Sequence, residues 1–187
     1  MFNKAVSYDL LWDAAALEAV DESQRWILAA MRRYGHELVT MLWRMLGNEQ
    51  DVCDAYQTTF LHLAHHEGGL KPRWVRAYVF RTASNAAISM LRQRSTERKA
   101  LSGVEPSTED PHNVEIDLNV KHLTERLRDC VAQLPDHLRD VITLHDFGEQ
   151  SYPEVAHIMG ISVGTARVYR CKAVQLLATW MNQEADQ

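Results

Sequence analysis

Residues 72–98 read PRWVRAYVFRTASNAAISMLRQRSTER, and they decide the fold because they carry two chemistries at one helical period. At about 100° per residue, Val75, Val79, Ala83, Ala86 and Met90 fall on one side and form a core stripe. The opposite side collects Trp74, Tyr78, Arg81, Asn85 and Arg92, and the basic run continues through Arg94, Arg98 and Lys99 with Glu97 against it. Aromatic rings stack on unpaired bases, guanidinium groups neutralise phosphates and amides hydrogen-bond base edges. The same face also fits a solvated cationic helix whose aromatics merely pack, so the flanking stretches have to decide.

Upstream, the loop Glu67-Gly68-Gly69-Leu70-Lys71 leads into this helix, and a Gly-rich loop beside a stacking surface can accept a base turned out of its strand. Before the loop, the spacing predicts a helix from about Asp51 to His66, with Ala55, Thr59 or Phe60, and Leu63 toward a core. A longer helix is predicted from about Gln24 to Leu46, with Ile27, Met31, Leu38, Leu42 and Met45 buried and Gly47 as its stop. Trp43 and Arg44 sit beside that stripe. Residues 1–23 form an acidic N-terminal extension with room for a short helix around Leu10 to Ala19.

Downstream the pattern stops. Residues 102–121 mix Gly103, Pro106, Ser107, Pro111 and Asn113 with Glu105, Glu109, Asp110, Glu115 and Asp117, which is the composition of a flexible acidic linker between two domains. Beyond it, Leu123 to Leu134 reads as a helix, and Pro135 opens another reaching about Asp146. Ser151-Tyr152-Pro153-Glu154 has capping-box spacing and starts a short helix ending at Met159. Gly160-Ile161-Ser162 is then a tight turn with Ser162 as the next N-cap. In the last helix Ala166, Tyr169, Ala173, Leu176 and Trp180 face inward, and Arg167, Val168, Cys171 and Lys172 face outward. Short helix, Gly-containing turn and longer helix make the helix-turn-helix layout, whose second helix enters a major groove.

Composition narrows the classes further. The 187 residues carry a net charge of −5 and 46% hydrophobic residues, enough for a core in one domain or two small ones. An acidic total argues against a uniform polyanion-binding surface, so the basic stretch has to act locally. Cys53, Cys130 and Cys171 are far apart, which suggests neither a disulfide framework nor a cysteine zinc site and fits a reduced cytoplasmic setting. No apolar run is long enough to span a membrane, and the N-terminus lacks a signal-peptide layout. His62, His65 and His66 share one helix face without H-E-x-x-H spacing or an evident carboxylate partner. With no P-loop, G-x-G-x-x-G or G-x-S-x-G either, no catalytic residue, metal or cofactor is assigned and an enzyme is not expected.

Taken together, residues 24–180 resemble a bacterial RNA polymerase sigma factor of the extracytoplasmic-function (ECF) type within the sigma-70 family. Asp54-Ala55-Tyr56-Gln57-Thr58-Thr59-Phe60 is similar to the D-A-x-Q-x-x-F helix of that family, and Trp74-Val75 through Asn85 to Leu91-Arg92 resembles its W-L…N…L-R segment. Leu134-Pro135, Arg139, Ser151-Tyr152, Glu154-Val155-Ala156 and Gly160-Ile161-Ser162-Val163-Gly164-Thr165 resemble region four. The pattern departs after Thr165. Where the family usually continues V-[KR]-S-R-[LI]-x-R-A, this chain has Ala166-Arg167-Val168-Tyr169-Arg170-Cys171-Lys172-Ala173, with Val168 in place of a small hydroxyl residue and Tyr169 in place of an arginine.

The resemblance implies an all-α chain of two small helical domains, a region 2 bundle at 24–101 and a region 4 helix-turn-helix at 122–187, joined by the acidic linker 102–121. It assigns Asp54, Gln57, Phe60 and Leu61 to core polymerase. It assigns Glu67, Gly68, Gly69, Leu70, Lys71, Trp74, Tyr78, Arg81, Asn85 and Arg92 to the minus-ten element, where Asn85 and the preceding loop would hold an unstacked base. Ser162, Thr165, Arg167, Val168, Arg170, Cys171 and Lys172 would meet the minus-thirty-five element. The implied partners are core RNA polymerase and promoter DNA, with an anti-sigma factor as an open third. The rival reading is a stand-alone helix-turn-helix regulator whose first half senses or dimerises. A protein that merely sequesters polymerase would keep the Asp54 to Phe60 face without needing the stacking face around Asn85.

Overall fold

The computed structural model describes residues 25–65, 74–101 and 115–183, and these are helices with short connections. In the first half, α1 (Arg25–Leu46), α2 (Glu49–Ala64) and α3 (Val75–Leu101) pack on one another. Helix α1 stops because Gly47 takes φ +77°, open to glycine at little cost, while its N–H returns to the Trp43 carbonyl at 2.9 Å. Asn48 starts α2 by accepting the Asp51 N–H on its side chain at 2.9 Å. Thr59 tolerates burial because its hydroxyl donates to the Ala55 carbonyl at 2.6 Å, leaving no unmet donor.

The buried side of α3 is wider than the stripe expected of it. Val79, Ala83 and Ala86 are buried as the period predicts, but so are Phe80, Ser84, Ala87, Ile88 and Leu91, while Val75 and Met90 are only half-buried. The reason is that α3 is packed from two directions, by α1 and α2 on one flank and by the second half of the chain on another.

That second half comprises α4 (Glu115–Gln133), α5 (Asp136–Val141), a π-helical segment Ile142–Phe147, α6 (Tyr152–Met159) and α7 (Val163–Gln183). Helix α4 begins inside the stretch read as linker. Pro135 is the N-cap of α5 rather than a residue of its first turn, and the helix expected to run on to Asp146 widens into the π-helical segment. The capping box of α6 forms: one Glu154 oxygen accepts the Ser151 backbone N–H at 2.9 Å and its hydroxyl at 2.8 Å. Gly160 takes the left-handed conformation, φ +68°, and Ser162 then caps α7 through the Thr165 N–H at 3.0 Å.

The two halves share one continuous apolar core, which runs from Leu38, Met41 and Leu42 of α1 through Phe80 of α3 to Leu138, Val141 and Leu144. The close approach is specific at Gly148, where an added Cβ would lie 2.8 Å from the Leu144 carbonyl oxygen and 3.2 Å from Met41 Sδ. Arg44 Nη1 donates to the Phe147 carbonyl at 3.0 Å, satisfying an oxygen at the end of the π-helical segment. The Arg44 side chain also pairs with Glu149 at 2.5 Å.

Candidate polymerase and promoter interfaces

On α2 the side chains of Asp54, Gln57 and Leu61 are exposed, with Leu61 at 57%. Phe60 has to be corrected. It is 8% exposed and its ring lies 4.8 Å from that of Tyr56, so it is core and underpins the face without presenting itself. The physical reason is that Phe60 follows Ala55, Val52 and Leu63 onto the apolar side of an amphipathic helix, whereas Asp54 and Gln57 lie on the other.

On α3 the structure keeps the expected face together but gives it protein partners. Trp74, 54% exposed, meets the His157 ring of α6 edge-on at 4.1 Å. Arg81 lies 4.0 Å from Asp140, and Arg92 lies 3.8 Å from Asp136 while its Nε donates to the Ala132 carbonyl at 3.2 Å. Tyr78 is half-buried, and Asn85 is exposed. Glu67, Gly68, Gly69, Leu70 and Lys71 lie outside the described residues, as do residues 1–24 and 102–114.

Two α3 residues that the periodicity did not single out are central to this contact. Arg76 pairs with Glu154 of α6 and, at 2.9 Å, with Glu37 of α1. Its guanidinium carbon also lies 5.9 Å from the Tyr34 ring centre and 5.5 Å from that of Phe80. Ser84 is buried and donates its hydroxyl hydrogen to Thr143 of the π-helical segment at 2.8 Å. The signal that could have found Ser84 is its place on one helix face with Phe80, Ala87 and Ile88, four residues before and three and four after it.

Charge states follow this geometry. Burial pushes the Asp140 carboxyl above its ordinary value, and the nearby Arg81 and Arg139 only partly oppose it. For Glu154 burial acts upward too, but the hydrogen bonds from Ser151 and the charge of Arg76 outweigh it and hold the carboxyl below the ordinary range. Hydrogen bonding to Asp146 raises Arg170 further.

In the helix-turn-helix, Arg167, Val168, Cys171 and Lys172 are exposed on α7, with Val168 at 51%. Ser162 and Thr165 are engaged with each other, their hydroxyl oxygens 2.8 Å apart. Arg170 is held back by Asp146 through contacts at 2.7 and 3.0 Å, a pairing that leaves it on the flank of the helix. Tyr169 is half-buried and meets the His137 ring edge-on at 4.8 Å. Among the described residues no three His, Cys, Asp or Glu side chains converge as a metal site, and no helix is long and apolar enough to cross a membrane.

Comparison with known proteins matches both halves in order. Residues 30–97 match the family model for sigma-70 region 2, and residues 124–177 match that for sigma-70 region 4. The chain is 24% identical over 163 residues to the ECF RNA polymerase sigma factor SigE of Mycolicibacterium smegmatis, covering 86% of this chain and 60% of that protein. It is 26% identical over 156 residues to the ECF RNA polymerase sigma factor SigM of Bacillus subtilis, covering 80% and 91%. Among solved structures it is similar to CnrH in complex with the cytosolic domain of CnrY, at a TM-score of 0.48 and 23% identity over 93% of this chain and 96% of that one. With two sigma-70 regions in their proper order on a helical chain of this architecture, the protein belongs to the sigma-70 family and, within it, to the ECF type.

Proposed function

We propose that this chain is a transcription initiation factor that binds core RNA polymerase, recognises promoter DNA and promotes strand opening. The observation that carries the reading is the pairing, on one chain, of an aromatic and cationic helix followed by a helix-turn-helix whose outer face is open. The two elements suit two different substrates. Bases are offered to stacking groups only after strand separation, whereas duplex sequence is read by a helix fitted to the major groove.

In this reading region 2 occupies residues 24–101 and region 4 residues 122–187, with the acidic segment between them following the positively charged path a polymerase provides for nucleic acid. Asp54, Gln57 and Leu61 dock on polymerase. Asn85 and the Glu67 to Lys71 loop hold the captured base, flanked by Trp74, Tyr78, Arg81 and Arg92. Arg167, Val168, Cys171 and Lys172 read the minus-thirty-five duplex, and Ser162, Thr165 and Arg170 lie toward its backbone.

Because Trp74, Arg81 and Arg92 are engaged with residues of region 4, the two halves part before region 2 meets single-stranded DNA. Polymerase binding supplies the opposing free energy. An anti-sigma factor that clamped the halves together would act on the same equilibrium.

The test is transcription in vitro with core polymerase, with and without this chain, on genomic fragments. Start sites that need the chain are expected. The regulator reading requires instead that the chain alone bind specific duplex DNA as a dimer with spaced half-sites. Tight duplex binding by the free chain, with no added transcription from core, would overturn the proposal.

A further inference from the structure

We propose that Tyr152 is a positioning residue for promoter reading, holding the Arg167 guanidinium in place at the start of the recognition helix. The inference rests on Arg167 being a base reader. Tyr152 is the first residue of α6, outside the helix it would serve, and its ring is half-buried. One neighbour is the His145 imidazole, stacked at 4.1 Å between ring centres with 25° between planes. Another is Arg167, whose guanidinium carbon lies 5.4 Å from the centre of the tyrosine ring.

The lower member of this arrangement is itself anchored. His145 Nδ1 lies 2.7 Å from the Gln150 carbonyl oxygen, and because a carbonyl only accepts, Nδ1 carries the proton. Gln150 is almost fully buried, with its backbone N–H donating to the Leu144 carbonyl at 3.0 Å and its side-chain amide to the Gly148 carbonyl at 2.9 Å. Rigidity therefore passes from the interior through His145 and Tyr152 to an exposed arginine.

An unrestrained arginine samples many rotamers and must lose them on binding, so a ring that selects one rotamer beforehand favours the bound geometry. One turn further on, Arg170 is restrained differently, by Asp146. The ring face thus acts on Arg167, while Arg170 is held by the carboxylate together with the Tyr152 hydroxyl.

The experiment uses polymerase holoenzyme and the strongest promoter fragment recovered from the transcription assay, with single base-pair variants across its upstream element. Arg167→Ala should abolish preference at one base pair. Tyr152→Leu should reduce preference at that same pair by about two- to fivefold, the range expected for an exposed cation–π contact, and leave the salt dependence unchanged. Tyr152→Phe keeps the ring face and should retain preference, which a role through the hydroxyl would not allow. If Tyr152→Leu fails to fold, Tyr152→Met keeps bulk without a π face and the same readings apply.

Unaltered preference in Tyr152→Leu or Tyr152→Met alongside a flattened Arg167→Ala profile overturns the positioning role alone. Equal weakening on every sequence also overturns it, since that is the signature of a structural residue. Unaltered preference in Arg167→Ala overturns the base-reader assignment, and the positioning role falls with it.

Discussion

Asp140 and Asp54 are both aspartates on helices, yet they make opposite predictions. Asp140 is held above its ordinary value of 3.8 because burial disfavours its charge more than Arg81 and Arg139 favour it. Its ionisation therefore opposes folding at neutral pH, and this penalty disappears as pH falls through the raised folded-state value toward the unfolded one. Asp140→Asn is expected to raise the melting temperature at pH 7, by an amount that shrinks toward pH 4. A melting temperature lowered at pH 7 would show that the Arg81 pairing dominates after all. Asp54 is exposed, so Asp54→Ala with Gln57→Ala should leave the fold within about 0.5 kcal/mol of the parent, as surface changes usually do. Co-elution with core polymerase should nevertheless weaken; undiminished co-elution would remove both residues from the docking face.

At the scale of the element, α3 was legible as an amphipathic helix but its function was only half legible. The period found the exposed Trp74, Arg81, Asn85 and Arg92. It could not distinguish a face waiting for DNA from one already engaged with protein, because both use the same cations. Asn85 is the informative residue, since it is exposed while its neighbour Ser84 is buried against Thr143. Asn85→Ala should impair promoter opening more than initial promoter binding, because the base it would hold is available only after unstacking. Permanganate footprinting on duplex and pre-melted templates checks this. A pre-melted bubble should restore most of the opening defect without restoring preference for the captured base, and normal melting with unchanged preference would exclude Asn85.

For the whole molecule the question is what holds region 4 over region 2. Ion pairs such as Arg81–Asp140 and Arg92–Asp136, at 4.0 and 3.8 Å, are partly exposed and individually worth at most about 1 kcal/mol. The shared apolar core and the buried Ser84–Thr143 hydrogen bond matter more. Thr143→Val leaves the Ser84 hydroxyl buried without that partner, which costs about 1–3 kcal/mol, and Arg76→Ala removes the pair with Glu154 as well. Together they should shift the free chain toward an open form. Cys53 on α2 and Cys171 on α7 are exposed while Cys130 is buried, so donor and acceptor dyes on the first two report the separation. Energy transfer should fall in the double variant; transfer equal to the parent's would mean that the apolar core alone maintains closure. The Glu154 contribution has a defined pH window. Its carboxyl is depressed below 4.5, so the stabilisation is complete above that value and is lost as pH falls through the folded-state one.

Among the described residues the sequence by itself determined where the helices lie, apart from the start of α4 at Glu115 and the π-helical segment, together with the stops at Gly47 and Gly160, the capping box at Ser151, the helix-turn-helix and the outward set on α7. These depend on groups a few residues apart, whose geometry follows from the helical period and from capping hydrogen bonds. Only the tertiary structure decided that α3 is covered on a second flank, that the segment after α5 widens into a π-helix, and that Tyr152 links His145 to Arg167. The Arg76–Glu154 pair joins residues 78 positions apart across an unpatterned linker. No local period encodes such a partner, because a surface arginine gains little from any one carboxylate until packing of the apolar faces has brought the two together.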